Sequence, residues 1–311
     1  MTLIVKDVSK RAADRWLLRD VSFEVVPGEV FGICSDDVEA LDMLLRLIKD
    51  EAASDGGTIS ASSKDVYLKN EISKGFMSRV FSSAGDGKER QDLKTVEMAT
   101  DSGRKILLFD RTFCGSDPAT RTLCFRRLRE DAAERGLCVV YAASDFADVF
   151  EVCDRVALIE NSYLIQTGTP QELYDLPETS AAARMTGRNN LFEARRLTSS
   201  RSEDPQYLTI DGEHRLTVQK IERSALAPLN QNMLLGIRPE QISISFGASF
   251  PEDNLIKASI AGIRPRGATT LVDLNAGGLR LCAMVLRLVG LNVGDECMLG
   301  LPPDRIKVFK N

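Results

Sequence analysis

The sequence predicts an α/β fold built on a mostly parallel sheet and followed by a smaller all-β barrel. Three observations carry that prediction. Two continuous apolar runs, Lys105-Ile106-Leu107-Leu108-Phe109-Asp110 and Leu137-Cys138-Val139-Val140-Tyr141-Ala142, have the length and two-sided hydrophobicity of buried parallel strands. Helical stretches separate such strands, the alternation of a parallel α/β sheet. After about Ala183 the composition shifts to short β runs separated by Gly, Pro and Asn, which suits a small barrel. Domains are therefore expected at residues 1–183 and 190–311.

In chain order, Leu3-Ile4-Val5 and Val21–Val25 read as antiparallel strands around a charged loop holding Arg11, Asp14 and Arg15. Pro27-Gly28-Glu29 makes a turn, and Val30–Cys34 is a short apolar strand. Ser35-Asp36-Asp37 offers helix caps, and Leu41, Leu44, Leu45 and Ile48 recur at helical spacing. Gly56-Gly57-Thr58-Ile59-Ser60 gives a turn and a strand. Residues 61–104 are polar and glycine-broken, and loops with a helix or two are expected there. The strand ending at Asp110 delivers a carboxylate to the sheet's C-terminal edge, where such sheets bind ligands. Asp117-Pro118 then starts an arginine-rich helix, with Asp117 as cap and Pro118 at its first position. A helix over roughly 145–153, a strand Arg155–Ile159 and a turn at Asn161-Ser162 complete the first domain. In the second, the clearest strands are Leu234–Ile237, Ile242–Phe246, Leu255–Ile260, Thr270–Leu274, Leu279–Val285, Glu296–Gly300 and Ile306–Phe309.

The bulk properties narrow the function. A chain of 311 residues, 43% of them hydrophobic, has material for two cores. A net charge of −5 and a pI near 5.3 give no electrostatic reason to expect nucleic acid. The start MTLIVKDVSK shows no signal peptide, and no stretch approaches the roughly 18 apolar residues of a membrane span. The seven cysteines form no CxxC pair and fall mostly in apolar runs, as reduced core residues of a cytosolic protein do.

The strand, turn and helix over Pro27–Ile48 have the frame of a phosphate-binding loop. Such a loop wraps phosphates with backbone N–H groups, reaches them with a lysine and holds Mg²⁺ with a hydroxyl. Here Ser35, Val38 and Ala40 stand where glycines belong, Leu41 where the lysine belongs, and Asp42 and Met43 where the hydroxyls belong. Asp36, Asp37 and Glu39 bring negative charge to the place of the phosphates, which repels them. The residues read as a nucleotide-binding fold that has lost its nucleotide.

The order of segments resembles the ATPase subunits of ABC importers, in particular the sugar-importer type with a C-terminal TOBE domain. VSFEVVPGEVFG, the loop frame, GGTIS, KILLFD, SDP and DRVALIENSYLIQTGTPQELYDLP follow in that family's order, and LLGIRPEQI and LGLPPDRIKVF match the TOBE-bearing group. Importers of oxyanions, polyamines and iron share the layout. The resemblance implies an ABC-type domain with a truncated helical subdomain, then a TOBE/OB-like barrel that dimerises and receives regulatory ligands. It also locates what has changed. The adenine-stacking aromatic falls at Ala12, with Trp16 displaced from it. The LSGGQ element aligns with Asp86-Gly87-Lys88-Glu89-Arg90, and Ser82 marks the Q-loop. Walker B keeps Asp110, but Arg111 replaces the catalytic glutamate, and a guanidinium is no base at neutral pH. Asp117 keeps the D-loop, and Ser144 stands at the switch histidine. Between Leu41 and Asp110 the chain is shorter than family members, in the region that grips the membrane subunit.

Asp110 without phosphates is a poor Mg²⁺ site, acids at Asp36, Asp37 and Glu39 simply suit a helix N-terminus, and Cys34 is core. His214, the only histidine, reads as a surface loop residue, and Arg238-Pro239-Glu240 as a turn. The expectation is a non-catalytic paralogue with no bound cofactor, partnering itself or an active ATPase subunit and membrane permease subunits. It would lie in the cytoplasm or at the membrane's inner face. The rivals are an ATP- and Mg²⁺-using subunit with Lys88 or another base replacing the lost lysine, and a small-molecule sensor built on the barrel.

Overall fold

A computed structural model describes residues 1–70, 86–113, 115–197, 205–218, 229–246, 254–286 and 290–309. By internal contacts the chain divides into two units, residues 1–177 with 185–187, and 178–184 with 188–311. Among the described residues, no helix is long and apolar enough to cross a membrane.

The first unit opens with β1 (Leu3–Ala12) and β2 (Arg15–Val25), an antiparallel hairpin to which β4 (Gly56–Ile59) adds on the far side of β1. Between them in sequence lie β3 (Val30–Cys34) and α1 (Val38–Ile48). The main sheet has the order β5-β6-β7-β3-β8-β9, where β5 is Val66–Asn70, β6 Ile106–Asp110, β7 Cys138–Ala143, β8 Arg155–Glu160 and β9 Tyr163–Gly168. All pairings are parallel except β8 with β9. β3, β6 and β7 are buried at every position, which is why their sequences read as unbroken apolar runs.

Strand alternation sorts these side chains onto two faces. Phe31, Ile33, Ile106, Leu108, Val140 and Ala142 share one core with Leu41, Leu44, Leu45 and Ile48 of α1 and with the antiparallel hairpin. On the other face, Phe109, Phe113, Phe125 and Tyr141 make an aromatic cluster, Phe125 and Tyr141 meeting edge to face at 5.4 Å. Phe125 belongs to α3 (Pro118–Arg135), which packs beside α2 (Asp86–Thr100). Gly32 permits a close layer contact, since a Cβ there would stand 2.9 Å from Cys153 Sγ.

Two expectations for this unit change. Residues 61–104 hold β5 as well as α2: Val66-Tyr67-Leu68 is too short a run to stand out, and β6 recruits it as the sheet's edge strand in register from Val66–Ile106 to Asn70–Asp110. The helix expected over 145–153 is α4, Phe146–Phe150 only. Its C-cap is Glu151, after which the chain turns into β8. Ser82 lies outside the described residues.

After α5 (Pro170–Asp175) in the first unit comes α6 (Ser180–Met185), of which residues 180–184 belong to the second unit and Met185 to the first, and β10 (Asn190–Arg196) of the second unit follows. One antiparallel sheet has the order β12-β11-β10-β13-β19, with β11 Gln206–Thr209, β12 Arg215–Thr217, β13 Asn232–Ile237 and β19 Lys307–Phe309. The second has the order β14-β18-β15-β16-β17, with β14 Ser243–Ser245, β15 Asn254–Arg266, β16 Thr269–Ala276, β17 Leu279–Leu286 and β18 Glu296–Leu301. Both sheets line a single core. Side-chain amides join their margins. Asn190 on β10 donates to Cys282 O on β17 and accepts from Cys282 N, at 2.9 and 2.7 Å. Asn254 on β15 exchanges hydrogen bonds with both backbone groups of Thr217 on β12.

Candidate functional site

The parallel strands bring the expected positions to one edge. Cys34 is in register with Ala143, and Asp110 with Ala142, so β3, β7 and β6 end side by side and release Ser35, Ser144 and Arg111 at adjacent places. The turn that feeds β3 is built by Glu29, whose Oε2 accepts from Val26 N at 2.8 Å and whose Oε1 accepts from Arg155 at 3.2 Å.

Beyond β3 the chain caps α1 by itself. Ser35 is buried, its N–H continues the ladder to Ala143 O, and its hydroxyl accepts from Asp37 N at 3.2 Å. Asp37 is the N-cap: its Oδ1 accepts from Glu39 N and Ala40 N, both at 3.1 Å. These are N–H groups that a phosphate would otherwise receive at a helix N-terminus. Arg15, at the start of β2, closes over the same place. It donates to Asp37 Oδ2 at 2.6 Å and, through its other branch, to Glu39 Oε2. The Arg15 guanidinium holds the Asp37 carboxyl below the usual carboxylate range, helped by the Ala40 and Glu39 amides and opposed by partial burial. Asp36 and Val38 face solvent.

The next positions point inward. Leu41 is 1% exposed and Ala40 2%, both in the core beneath the sheet, and Met43 packs against that core. Asp42 lies 3.9 Å from Arg46, one helical turn on. A side chain at position 41 is therefore directed into the apolar layer, away from the helix N-terminus that Asp37 caps.

At the end of β6, Asp110 is fully buried on the face of Ile106 and Leu108. Arg111 turns back on it through a left-handed backbone, φ 47°, and donates from Nε to Oδ1 at 2.7 Å and from Nη2 to Oδ2 at 2.8 Å. Both carboxylate oxygens thus carry a guanidinium N–H, the strong bidentate arrangement. Asp117 caps α3, accepting from Ala119 N and Thr120 N, with the Thr120 hydroxyl and amide lowering its pKa. Ser144 is exposed in the bend before α4. Asp86 to Arg90 form the first turn of α2.

Around the expected adenine position, Trp16 is engaged by arginines: the Arg11 and Arg19 guanidiniums lie 4.9 and 5.6 Å from its ring, and Arg19 also lies 5.3 Å from Tyr163. Cys34 is core, and burial pushes its thiol up to about 12. His214 differs from the sequence expectation. It is half-buried, with Nε2 2.7 Å from Ala276 O, because its turn packs against the turn after β16. Arg238 is buried and donates to the Ala183 and Arg188 carbonyls, which makes it a structural tie. Among the described residues no cluster of three or more His, Cys, Asp or Glu has a metal-binding arrangement.

Sequence reasoning missed Arg15 and the paired amides of Asn190 and Asn254. Only the run of Asp36, Asp37 and Glu39 signalled the first, since an acidic patch at a helix start invites a cation.

Comparison with known proteins adds to the geometry. A family model described as a TOBE domain matches residues 235–309. The chain is 23% identical to the molybdate/tungstate import ATP-binding protein WtpC of Pyrococcus horikoshii, with 99% of each chain covered in an alignment 359 residues long. It is 24% identical to the sulfoquinovosyl glycerol transport ATP-binding protein SmoE of Agrobacterium fabrum, over 66% of this chain and 55% of that one. It is 28% identical to the Fe(3+) ions import ATP-binding protein FbpC of Escherichia coli O157:H7, over 45% of this chain and 37% of that one.

Proposed function

We propose that this chain, an ATP-binding subunit of ABC import systems by descent and bearing a C-terminal TOBE domain, is a pseudo-ATPase that serves solute import as a structural or regulatory partner. The observation that carries the reading is the cluster of Arg15, Asp37 and Glu39 at the N-terminus of α1. It fills with the chain's own charges the place where a phosphate would accept backbone N–H groups. An incoming triphosphate would have to displace an arginine and then lie against two carboxylates, at a loop that offers no lysine.

The water-activating side fails in parallel. Arg111 neutralises Asp110 and cannot accept a proton, so neither Mg²⁺ binding nor general-base work is supported at that edge. In an active dimer each site is built from the loop of one subunit and the LSGGQ element of the other, so losing both leaves this chain without a nucleotide role in either site. The remaining use is the scaffold. It would pair with itself or an active paralogue through the TOBE domain, at a permease on the inner face of the membrane. The relatives' names span oxyanions, a sugar derivative and iron, and sugar-type import is the solute class proposed on the sequence resemblance.

The test is calorimetric titration of the purified chain with ATP and Mg²⁺, together with a thermal-shift scan. No heat and no shift are expected. A saturable, Mg²⁺-dependent signal would restore the working ATPase with an altered loop.

A further inference from the structure

At α4 and α5 lies a cavity of about 410 Å³ whose lining, Met185 to Gly187 included, belongs entirely to the first unit. Its volume falls in the range of small-molecule sites. Three aromatic rings make one wall. Phe146 and Phe150 on α4 meet edge to face at 5.8 Å, and Phe150 and Tyr174 on α5 at 6.3 Å. Met185 supplies a polarisable thioether, and Phe150 remains 39% exposed, an aromatic face left open to a ligand. The charged groups on the lining are Asp145 and Glu151, both carboxylates and both exposed. Among the described residues no lysine, arginine or histidine lines the cavity.

We propose that this cavity binds a small organic cation, an ammonium with an apolar or aromatic body. The aromatic faces and the two carboxylates attract the cationic head, and the apolar wall takes the body. An anion would face two like charges, and a neutral hydrocarbon would gain the wall alone. Asp145 follows Ser144 directly and caps α4 through Ala147 N at 3.0 Å, so the ligand would rest against the helix that continues from the sheet edge. The site is independent of the nucleotide loop, and its test and the ATP titration fail separately.

The experiment uses benzyltrimethylammonium, benzyl alcohol and benzylsulfonate on the full chain, with saturation-transfer NMR and calorimetry. Saturable binding of the cation is expected, with the alcohol about tenfold weaker and the sulfonate not detected. Glu151→Gln lowers cation affinity, and the Asp145→Asn/Glu151→Gln pair lowers it about tenfold while leaving the alcohol unchanged. Asparagine keeps the α4 cap, and unchanged circular dichroism confirms that both variants fold. Phe150→Ala weakens cation and alcohol alike. Equal binding of cation and sulfonate, no saturation at millimolar cation, or an unchanged cation affinity in the double variant overturns the proposal. N-acetyl-lysine amide binding as tightly as benzyltrimethylammonium would also overturn it, in favour of a lysine from a protein partner.

Discussion

Arg111 grips the carboxylate of its own neighbour, Asp110, with Nε and Nη2 at 2.7 and 2.8 Å from the two oxygens, while Asp110 is wholly buried. The left-handed backbone of Arg111 makes this possible between adjacent residues, since an extended strand would send the two side chains to opposite faces.

Removing the guanidinium leaves a buried carboxylate short of a partner. Arg111→Ala should destabilise the fold by about 3 kcal/mol, seen as a lower urea midpoint. Asp110→Asn added to it removes the charge and should recover most of the loss. If the double variant is as unstable as the single one, the pair is not what holds this sheet edge.

The Arg15–Asp37 pair predicts an acid-side effect. The folded carboxyl titrates below its usual value near 3.8, so its contribution is complete above that value and is lost as pH falls through the lower folded value. In Arg15→Ala the NMR titration midpoint of Asp37 should rise toward 3.8 yet stay below it, because Ala40 and Glu39 amides still donate. Asp37→Ala removes the cap itself and should cost about 1 kcal/mol at neutral pH. An Asp37 midpoint indifferent to Arg15 would sink the clamp.

What the sequence made legible was local. The frame from Pro27 to Ile48, the buried strands read as ending at Asp110 and Ala142, and the Asp117 cap all follow from periodicity and capping within a few residues. Contacts between distant residues were silent. Arg15 meets Asp37 across 22 positions, and Asn190 meets Cys282 across 92, with nothing in either neighbourhood to choose the partner. β5 was hidden for a related reason: an edge strand takes its conformation from its neighbour, so its own sequence carries a weaker signal.

Asn190 supplies a prediction for the second unit. Its amide serves Ile237 O, Cys282 O and Cys282 N, all buried. Asn190→Ala should cost about 2–3 kcal/mol through unpaired backbone groups, read as a fall in the melting midpoint. Asn190→Asp keeps an acceptor for Cys282 N but faces two carbonyls with no donor, so it should do no better. A neutral alanine variant would mean that water replaces the amide.

The last prediction concerns reversion of the loop. Replacing Leu41 with lysine restores the residue that a working phosphate loop carries, so a purely sequence-based view expects a step toward nucleotide binding. The packing argues otherwise. Position 41 is 1% exposed and lies in the core with Leu44, Leu45, Phe31 and Ile33, while the helix N-terminus is already occupied by Asp37 and Arg15. Leu41→Lys loses the buried side chain and places an ammonium in apolar surroundings, a cost of about 3–5 kcal/mol, unless the lysine deprotonates. Leu41→Met, which conserves volume, should cost less than about 1.5 kcal/mol. The expected outcome is a sharply lower melting midpoint for the lysine variant and no shift with ATP and Mg²⁺ in either. A lysine variant that melts with the parent and gains a nucleotide-dependent shift would mean that α1 can turn this side chain out to the phosphates. The lost chemistry would then lie in a few side chains, with the packing of the loop still compatible with nucleotide.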